Sequence, residues 1–185
     1  IFQQKKQGLP LPGDYYLVSD SEETLKERMV NDDTFVRAYC KNNPHTGKSI
    51  STKLWVGDYH SEDEFVKLAE NSKGIKRIAV LRADVDNLGH AFFAGFPDKY
   101  MTLSRTATLS RQLSLFFKYH IKSILEKGSY YIGHEEGHPR HAAIVYSGGD
   151  DLFIVGAWND VIELAVDIKD SLKTYTENTL TLSGG

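Results

Sequence analysis

The stretch YSGGDDLF at residues 146–153 is typical of a tight turn between two strands, and the other elements of the chain can be interpreted from it. Apolar, β-branched and aromatic residues flank the turn, at 142–146 and at 152–155. Gly148 and Gly149 permit positive φ angles and a close backbone approach, so we predict a hairpin with this turn at its tip. The tip also carries two adjacent carboxylates, which repel each other unless a cation lies between them. The turn therefore suits a divalent metal.

A second acidic segment lies at the end of another predicted strand. A mostly apolar run at residues 78–83 (IAVLRA) leads into Asp84 and Asp86, and a glycine then permits a turn. Because side chains alternate along a strand, both carboxylates share a face with Arg82. If this strand lies beside the hairpin, Asp84 meets the carboxylates of the turn. Mg²⁺ is held by one or two carboxylates together with water and substrate phosphates, so the two segments predict a nucleotide–metal site.

Three segments of the sequence carry a resemblance to a known family. They read LWVGDY at residues 54–59, LRADVDNLG at 81–89 and YSGGDD at 146–151. In this order they resemble the palm domain of the large subunit of type III CRISPR effector complexes, in its Csm (subtype III-A) form. The Gly-Gly-Asp-Asp turn alone is shared with diguanylate cyclases and several polymerases, but the ordered set is a much more specific pattern. The resemblance is good from about residue 50 to 185 and looser before it.

The resemblance implies a nucleotidyltransferase that makes cyclic oligoadenylate from ATP in antiviral defence, with Mg²⁺ or Mn²⁺ as cofactor. It implies metal binding by the catalytic residues Asp84, Asp150 and Asp151. The implied partners are crRNA, the other subunits of a cytoplasmic Csm complex, and target RNA through that complex. We expect the nucleotide to contact the two turns, at Val85, Asp86, Asn87, Leu88, Gly89, Ser147, Gly148 and Gly149. Two of these residues have an alternative, structural role. Asp86 can fix the conformation of its own loop, and the Ser147 hydroxyl can cap the turn.

Composition sets the broad class of the chain. Its 185 residues are 41% hydrophobic and 25% charged, as in an ordinary globular protein. A net charge of -3 gives no electrostatic case for broad nucleic-acid binding by this chain alone. Cys40 is the only cysteine, which excludes a disulfide framework, and no apolar run approaches the roughly 20 residues of a membrane span. Both ends, at Ile1 and Gly185, suggest a piece of a longer protein.

Periodicity predicts the fold. From residue 75 the order is strand, long helix (103–126), strand, strand, long helix (from about 160) and strand. This is the α+β, ferredoxin-like β-α-β-β-α-β plan of a nucleotidyl cyclase or polymerase palm, with both helices on one face of an antiparallel sheet. We assign it to residues 51–185, preceded by a small mixed α/β linker subdomain at 1–50.

Several helix starts match the capping-box pattern, in which Ser, Thr or Asp precedes Glu by three residues. Ser19 with Glu22, or Asp20 with Glu23, would begin a helix that ends near Val30. Later helices would begin at Ser61 with Glu64, and at Asp160 with Glu163.

Two other functions remain open. One is a diguanylate-cyclase-like enzyme that uses GTP, although Leu152 follows Asp151 where that family continues with a different residue. The other is a non-catalytic scaffold, which the retention of three carboxylates argues against. No basic cluster follows the last strand, so we expect the isolated chain to be weak or inactive as an enzyme.

One stretch is rich in histidine. His134, His138 and His141, together with Glu135 and Glu136, have a spacing that can bind a transition metal. We favour a solvated loop, because glycines and a proline interrupt the stretch and no cysteine accompanies it.

Overall fold

The computed structural model describes residues 1–3, 8–132 and 137–185. Two compact units make up the chain, Ile1–Val56 and Gly57–Gly185. The strands are β1 (Phe2–Gln3), β2 (Leu9–Leu11), β3 (Tyr15–Leu17), β4 (Tyr39–Lys41), β5 (Thr52–Leu54), β6 (Ile78–Val85), β7 (Ala142–Ser147), β8 (Asp151–Ala157) and β9 (Leu182–Gly184). The helices are α1 (Glu22–Asn31), α2 (Phe65–Glu70), α3 (Leu88–Ala94), α4 (Leu103–Leu115), α5 (Ile121–Glu126) and α6 (Trp158–Tyr175).

The first unit is a small mixed α/β structure. Strands β1, β3 and β2 form an antiparallel sheet, and β4 pairs in parallel with β5. Because β5 pairs within this unit, the first unit extends beyond residue 50. Helix α1 packs over a small core of Met29, Ala38 and Cys40.

The second unit contains the predicted fold. Its strands form a four-stranded sheet in the order β7-β8-β6-β9, with every neighbouring pair antiparallel. Along the chain β6 is followed by the α4–α5 helix, then β7, β8, α6 and β9. The ferredoxin-like palm topology is therefore confirmed.

Both long helices cover the same face of the sheet. Along β6 the side chains alternate, so Leu81, Ala83 and Val85 are buried while Arg82 and Asp84 are exposed. The buried residues join one core with the apolar faces of both helices, and burying one such side chain contributes about 1.5–3 kcal/mol. This core includes Leu113, Phe116, Phe117, Ile121 and Leu125 from the first long helix, and Leu164, Ile168 and Leu172 from α6. The opposite face of β6 is left open for chemistry.

The first long helix covers residues 103–126 as predicted, but it is not uniformly α-helical. The five residues Phe116–His120 form a π-helical segment between α4 and α5. Ile121 donates its backbone N–H to the Phe116 carbonyl, five residues back, which is the π-helical pattern. Periodicity alone does not reveal such an inserted residue.

The predicted helix caps were wrong. Helix α1 begins at Glu22 with Ser21 as its cap, whose hydroxyl accepts from the Thr24 N–H at 3.3 Å, so neither Ser19 nor Asp20 caps it. The N-cap of α2 is Glu64, which makes no side-chain capping bond. Helix α6 begins at Trp158, which places Asp160 in the first turn, where its carboxylate bonds elsewhere. Short polar residues that precede a helix compete for the cap, and tertiary packing decides which one fills it.

Candidate nucleotide and metal site

Asp84 and Asp151 lie directly opposite each other on neighbouring strands. Asp84 near the end of β6 pairs with Asp151 at the start of β8, and with Ser183 on its other side. Directly opposed residues of an antiparallel pair have Cβ atoms about 4.5–5.5 Å apart, and like charges in that position destabilise the sheet. Asp84 is exposed on the open face and Asp151 is half-buried. A cation between them would remove the repulsion.

The hairpin turn is attached to the end of β6. The Gly148 N–H donates to the Asp151 carbonyl at 3.0 Å, which closes the turn, and the Val85 N–H donates to the Asp150 carbonyl at 3.1 Å. The second bond holds the tip beside Asp84, with the Asp150 side chain exposed. The structure therefore brings all three predicted catalytic carboxylates to one end of the sheet.

Gly148 is needed for space rather than for φ, whereas a side chain at Gly149 would meet no other atoms. Neither Gly148 nor Gly149 has a positive φ angle, so the role predicted for that freedom was wrong. A Cβ at Gly148 would clash with the Tyr146 hydroxyl, so a side chain there would displace the ring. The left-handed conformation occurs instead at Asn87, with φ 53°, where the chain leaves β6. Asparagine tolerates this conformation better than most residues.

Tyr146 is influenced by the charge of the turn, and sequence reasoning did not include it among the site residues. The pKa of Tyr146 lies above its ordinary value, chiefly because of the negative charge of Asp151. Desolvation, a hydrogen bond with Asp151 and the charge of Asp150 raise it further. The negative charges of both hairpin carboxylates thus disfavour ionisation of the Tyr146 phenol.

Asp86 fixes the exit of β6 to the segment that enters β9. Its carboxylate accepts from the Thr181 hydroxyl at 2.6 Å, and its N–H donates to the Thr181 carbonyl at 2.9 Å. The hydroxyls of Ser183 and Thr181, in that order of strength, lower the pKa of Asp86. This is the loop-fixing alternative for Asp86, and its contact with a nucleotide stays a prediction.

The other residues predicted to contact nucleotide differ in which side-chain and backbone groups remain available for binding. The Val85 side chain is buried in the core and its N–H already bonds to the hairpin. The Ser147 hydroxyl donates to the Phe117 carbonyl of the π-helical segment, so it joins the hairpin to the long helix rather than capping the turn. Leu88 packs partly against the core, while Asn87 and Gly89 are exposed. Their nucleotide contacts stay predictions.

A cleft of about 790 Å³ opens beside Asp86 and Asn87. Its walls come from α3, α4 and the segment that joins α6 to β9, and they carry both apolar and polar side chains. A cleft of this size and lining suits a flat heterocycle with polar edges, such as a nucleobase. The apolar wall includes Ala91, Ala94, Phe96, Leu109 and Leu113, and the polar groups include Gln112, Thr176 and Thr179.

The donor set at the end of the sheet fits a hard divalent cation. Carboxylates are acceptor-only oxygen ligands, and Mg²⁺ needs only one or two of them. Within the ranges that the structure describes, Asp84, Asp150 and Asp151 are not a closed set of three ligands. Instead, the ligand atoms that lie within 4.8 Å of one another belong to His138, His141 and Asp160. The opposed pair Asp84 and Asp151 would therefore hold the ion with water and substrate completing its shell.

Comparison with known proteins gives consistent matches. The sequence profile described as Cas10/Cmr2, second palm domain, matches residues 77–185. The chain is 42% identical to the CRISPR system single-strand-specific deoxyribonuclease Cas10/Csm1 (subtype III-A) of Mycobacterium tuberculosis, over 96% of this chain and 23% of the relative. It is 39% identical to the protein of the same name from Enterococcus italicus, over 96% of this chain and 23% of that protein. The chain thus spans about a quarter of the length of these relatives.

Solved structures show the same similarity. The Csm1–Csm4 cassette in complex with pppApApA superposes with a TM-score of 0.70 at 32% identity, covering 80% of this chain and 23% of that one. The cassette in complex with cA4 gives 0.68 at 32% identity, over 80% and 22%. Csm1 of T. onnurineus gives 0.69 at 33% identity, over 81% and 23%. In the described part of this chain, no helix combines the length and apolar character needed to cross a bilayer.

Proposed function

Since the chain belongs to the Cas10/Cmr2 family through its second palm domain, we propose that it binds ATP with Mg²⁺ or Mn²⁺ and catalyses nucleotidyl transfer to cyclic oligoadenylate. The observation that carries the proposal is the direct opposition of Asp84 and Asp151 on the open face of the sheet. Two like charges in register are unfavourable without a cation, and a nucleobase-sized cleft opens beside Asp86, two residues after Asp84.

Each part of the site has a role in this proposal. Asp84 and Asp151 would bind the metal, and Asp150 at the hairpin tip would contribute a further carboxylate to the same site. When bound, the metal would polarise the phosphates and neutralise charge on the leaving pyrophosphate. The cleft would take the adenine base. Asp86, held by Thr181, would keep the end of β6 in place between cleft and carboxylates.

Arg82 would supply positive charge on the same face. It is exposed, it lies two residues before Asp84, and it forms no ion pair within the described parts of the chain. A guanidinium binds phosphate through two parallel hydrogen bonds, which makes Arg82 a suitable contact for the triphosphate. The alternative salt bridge between Arg82 and Asp84 is not formed.

The matched structures support the choice of substrate and assembly. They are Csm1–Csm4 cassettes in complex with pppApApA, with cA4 and with ATP. By analogy this palm would act within a type III-A complex that contains Csm4, and crRNA and target RNA would reach it through that complex. The net charge of -3 agrees with RNA binding by partners rather than by this chain.

Calorimetric titration of ATP with Mn²⁺ tests the metal–nucleotide site. We expect the chain to bind, the Asp150→Ala/Asp151→Ala variant to lose binding, and the control Asp170→Ala to bind as the parent does. Asp170 is a matched exposed carboxylate on α6. Equal heats in all three proteins would contradict the assignment, and tighter binding of GTP than ATP would favour the cyclase that uses GTP.

Product formation tests the chemistry. The full-length protein, assembled with its complex and target RNA, should convert labelled ATP to cyclic oligoadenylate. The double variant should be at least about 100-fold slower, which corresponds to about 2.7 kcal/mol of transition-state stabilisation. An assembled complex that makes no such product, although ATP binds, would leave the palm as a scaffold.

A further inference from the structure

We propose that His138, His141 and Asp160 form a second metal site, for Zn²⁺ or a similar transition metal. The site lies at the end of β7 opposite the hairpin turn, because His141 precedes this strand and Gly148 follows it. It would join the segment before β7 to the first turn of α6. The proposal does not depend on the nucleotide site.

The positions of the three side chains are close to what a zinc site needs. One ligand atom from each residue lies within 4.8 Å of the others. Tetrahedral Zn²⁺ with bonds of about 2.0–2.1 Å places its ligand atoms roughly 3.3 Å apart. A small inward movement of the side chains would therefore close the site. The His138 side chain can make this movement, since it is only half-buried.

Asp160 is a buried carboxylate that lacks a described counter-charge. It is fully buried, and its two oxygens accept from the His141 N–H at 2.6 Å and from the Asn159 side-chain amide at 2.7 Å. Among the residues that the structure describes, no cation forms an ion pair with it. Buried charges in proteins are usually paired or bind a metal. Each carboxylate oxygen keeps a lone pair beyond these bonds, so Asp160 can still be a ligand.

The two imidazoles also have free capacity. The Nδ1 atom of His141 is buried and has no hydrogen-bond partner in the described ranges. The Nδ1 atom of His138 lies 3.0 Å from the Pro139 carbonyl. That contact favours a proton on Nδ1 and leaves the Nε2 lone pair available, as in metal-binding histidines whose other ring nitrogen donates to a carbonyl or carboxylate.

The backbone around His138 is already held in place. The Tyr131 hydroxyl donates to the His138 carbonyl at 2.8 Å and accepts from the His138 N–H at 3.1 Å. Arg140, two residues later, is fully buried and bonds to Glu163 and Asp167 on α6. The histidines therefore lie beside α6 on a backbone segment that is already ordered. Metal binding then costs less conformational entropy than it would on a free tail.

The donor set selects the metal. Two imidazoles and one carboxylate suit Zn²⁺ and its neighbours in the first transition row, whereas Mg²⁺ and Ca²⁺ prefer oxygen alone. The fourth position would be filled by water. His134, Glu135 and Glu136, the rest of the histidine-rich stretch, lie outside the described residues, and the proposal does not use them.

Zinc binding in the absence of nucleotide tests the site. The Asp150→Ala/Asp151→Ala chain is the parent, so that the hairpin carboxylates cannot contribute. Equilibrium dialysis against Zn²⁺ alone, with elemental analysis, should give one bound ion per chain. His138→Ala should weaken this binding by at least about 10–100-fold, the effect of losing even an outer-shell group. His60→Ala, which removes an exposed histidine, should change nothing.

Two further readouts separate metal ligation from a structural role. Zn²⁺ should raise the melting temperature of the parent but not of His138→Ala, and Co²⁺ in its place should give the visible absorption of a tetrahedral site. Asp160→Asn, which keeps the size and one oxygen, is the second variant if His138→Ala does not fold. A parent that binds no Zn²⁺, or a His138→Ala chain that binds it equally, would overturn the proposal and leave Asp160 as a first-turn carboxylate stabilised by the helix dipole.

Discussion

Arg140 is the cation on which two buried carboxylates depend, and removing it should destabilise the second unit strongly. Its side chain is 0% exposed, as is that of Glu163, and Asp167 is 6% exposed. The guanidinium also donates to the Tyr130 carbonyl and lies 4.0 Å above the Tyr131 ring. Arg140→Met would keep much of the apolar packing but leave both carboxylates buried without a cation.

The expected loss is large for a single substitution. Breaking a buried ion pair by removing one partner costs about 3–5 kcal/mol, and here two partners are stranded. A change of 1 kcal/mol shifts the melting temperature by about 2–4 °C in a domain of 150–250 residues. Arg140→Met should therefore lower the melting temperature by roughly 6–20 °C.

The assay is thermal unfolding at pH 7 followed by circular dichroism. Lys67→Met is the matched control, because Lys67 lies 3.9 Å from Glu64 with both side chains more than half exposed. Such a pair contributes at most about 1 kcal/mol. A drop for Arg140→Met no larger than that of the control would refute the reasoning.

A combined variant tests the cause of the loss. Arg140→Met/Glu163→Gln/Asp167→Asn removes the stranded charges but keeps oxygens that can accept from the Ile132 and Tyr130 N–H groups, at 2.9 and 2.8 Å in the parent. It should recover part of the lost stability. No recovery would mean that packing, and not unpaired charge, explains the destabilisation.

Three other outcomes follow from the structure. In Gly156→Ala the new Cβ would lie 2.6 Å from the His141 carbonyl oxygen. Overpacking should therefore lower the free energy of unfolding in urea by about 1–3 kcal/mol. An unchanged urea midpoint would contradict the close approach. Burial raises the pKa of Tyr59 to about 12. The unfolded state therefore loses this proton at lower pH than the folded state, and the free energy of unfolding should fall as pH rises from 10 to 12. The urea midpoint of Tyr59→Phe should fall less over this range. Thr181→Val removes the hydroxyl bond to Asp86 and should weaken Mn²⁺–ATP binding several-fold while circular dichroism is unchanged; full affinity would show that Asp86 needs no such support.

Local patterns predicted most of the second unit. Alternation along β6 identified its buried and open faces, and the apolar stripe identified the helix at 103–126, since both depend only on the periods of strand and helix. The two acidic segments and the turn were also identified correctly, because glycine and aspartate residues follow apolar strand-like runs there. The caps were not, because several polar residues near each helix start satisfy the same pattern.

Sequence patterns were enough to identify the strands and long helices of the second unit, their apolar faces, and three carboxylates at strand ends. Four contacts are seen only in the folded chain: Asp84 opposes Asp151, Thr181 holds Asp86, α3, α4 and the segment after α6 line one cleft, and Asp160 lies near His138 and His141. These contacts join residues far apart along the chain. Their geometry depends on strand order, register and packing of the whole core, which no local period specifies.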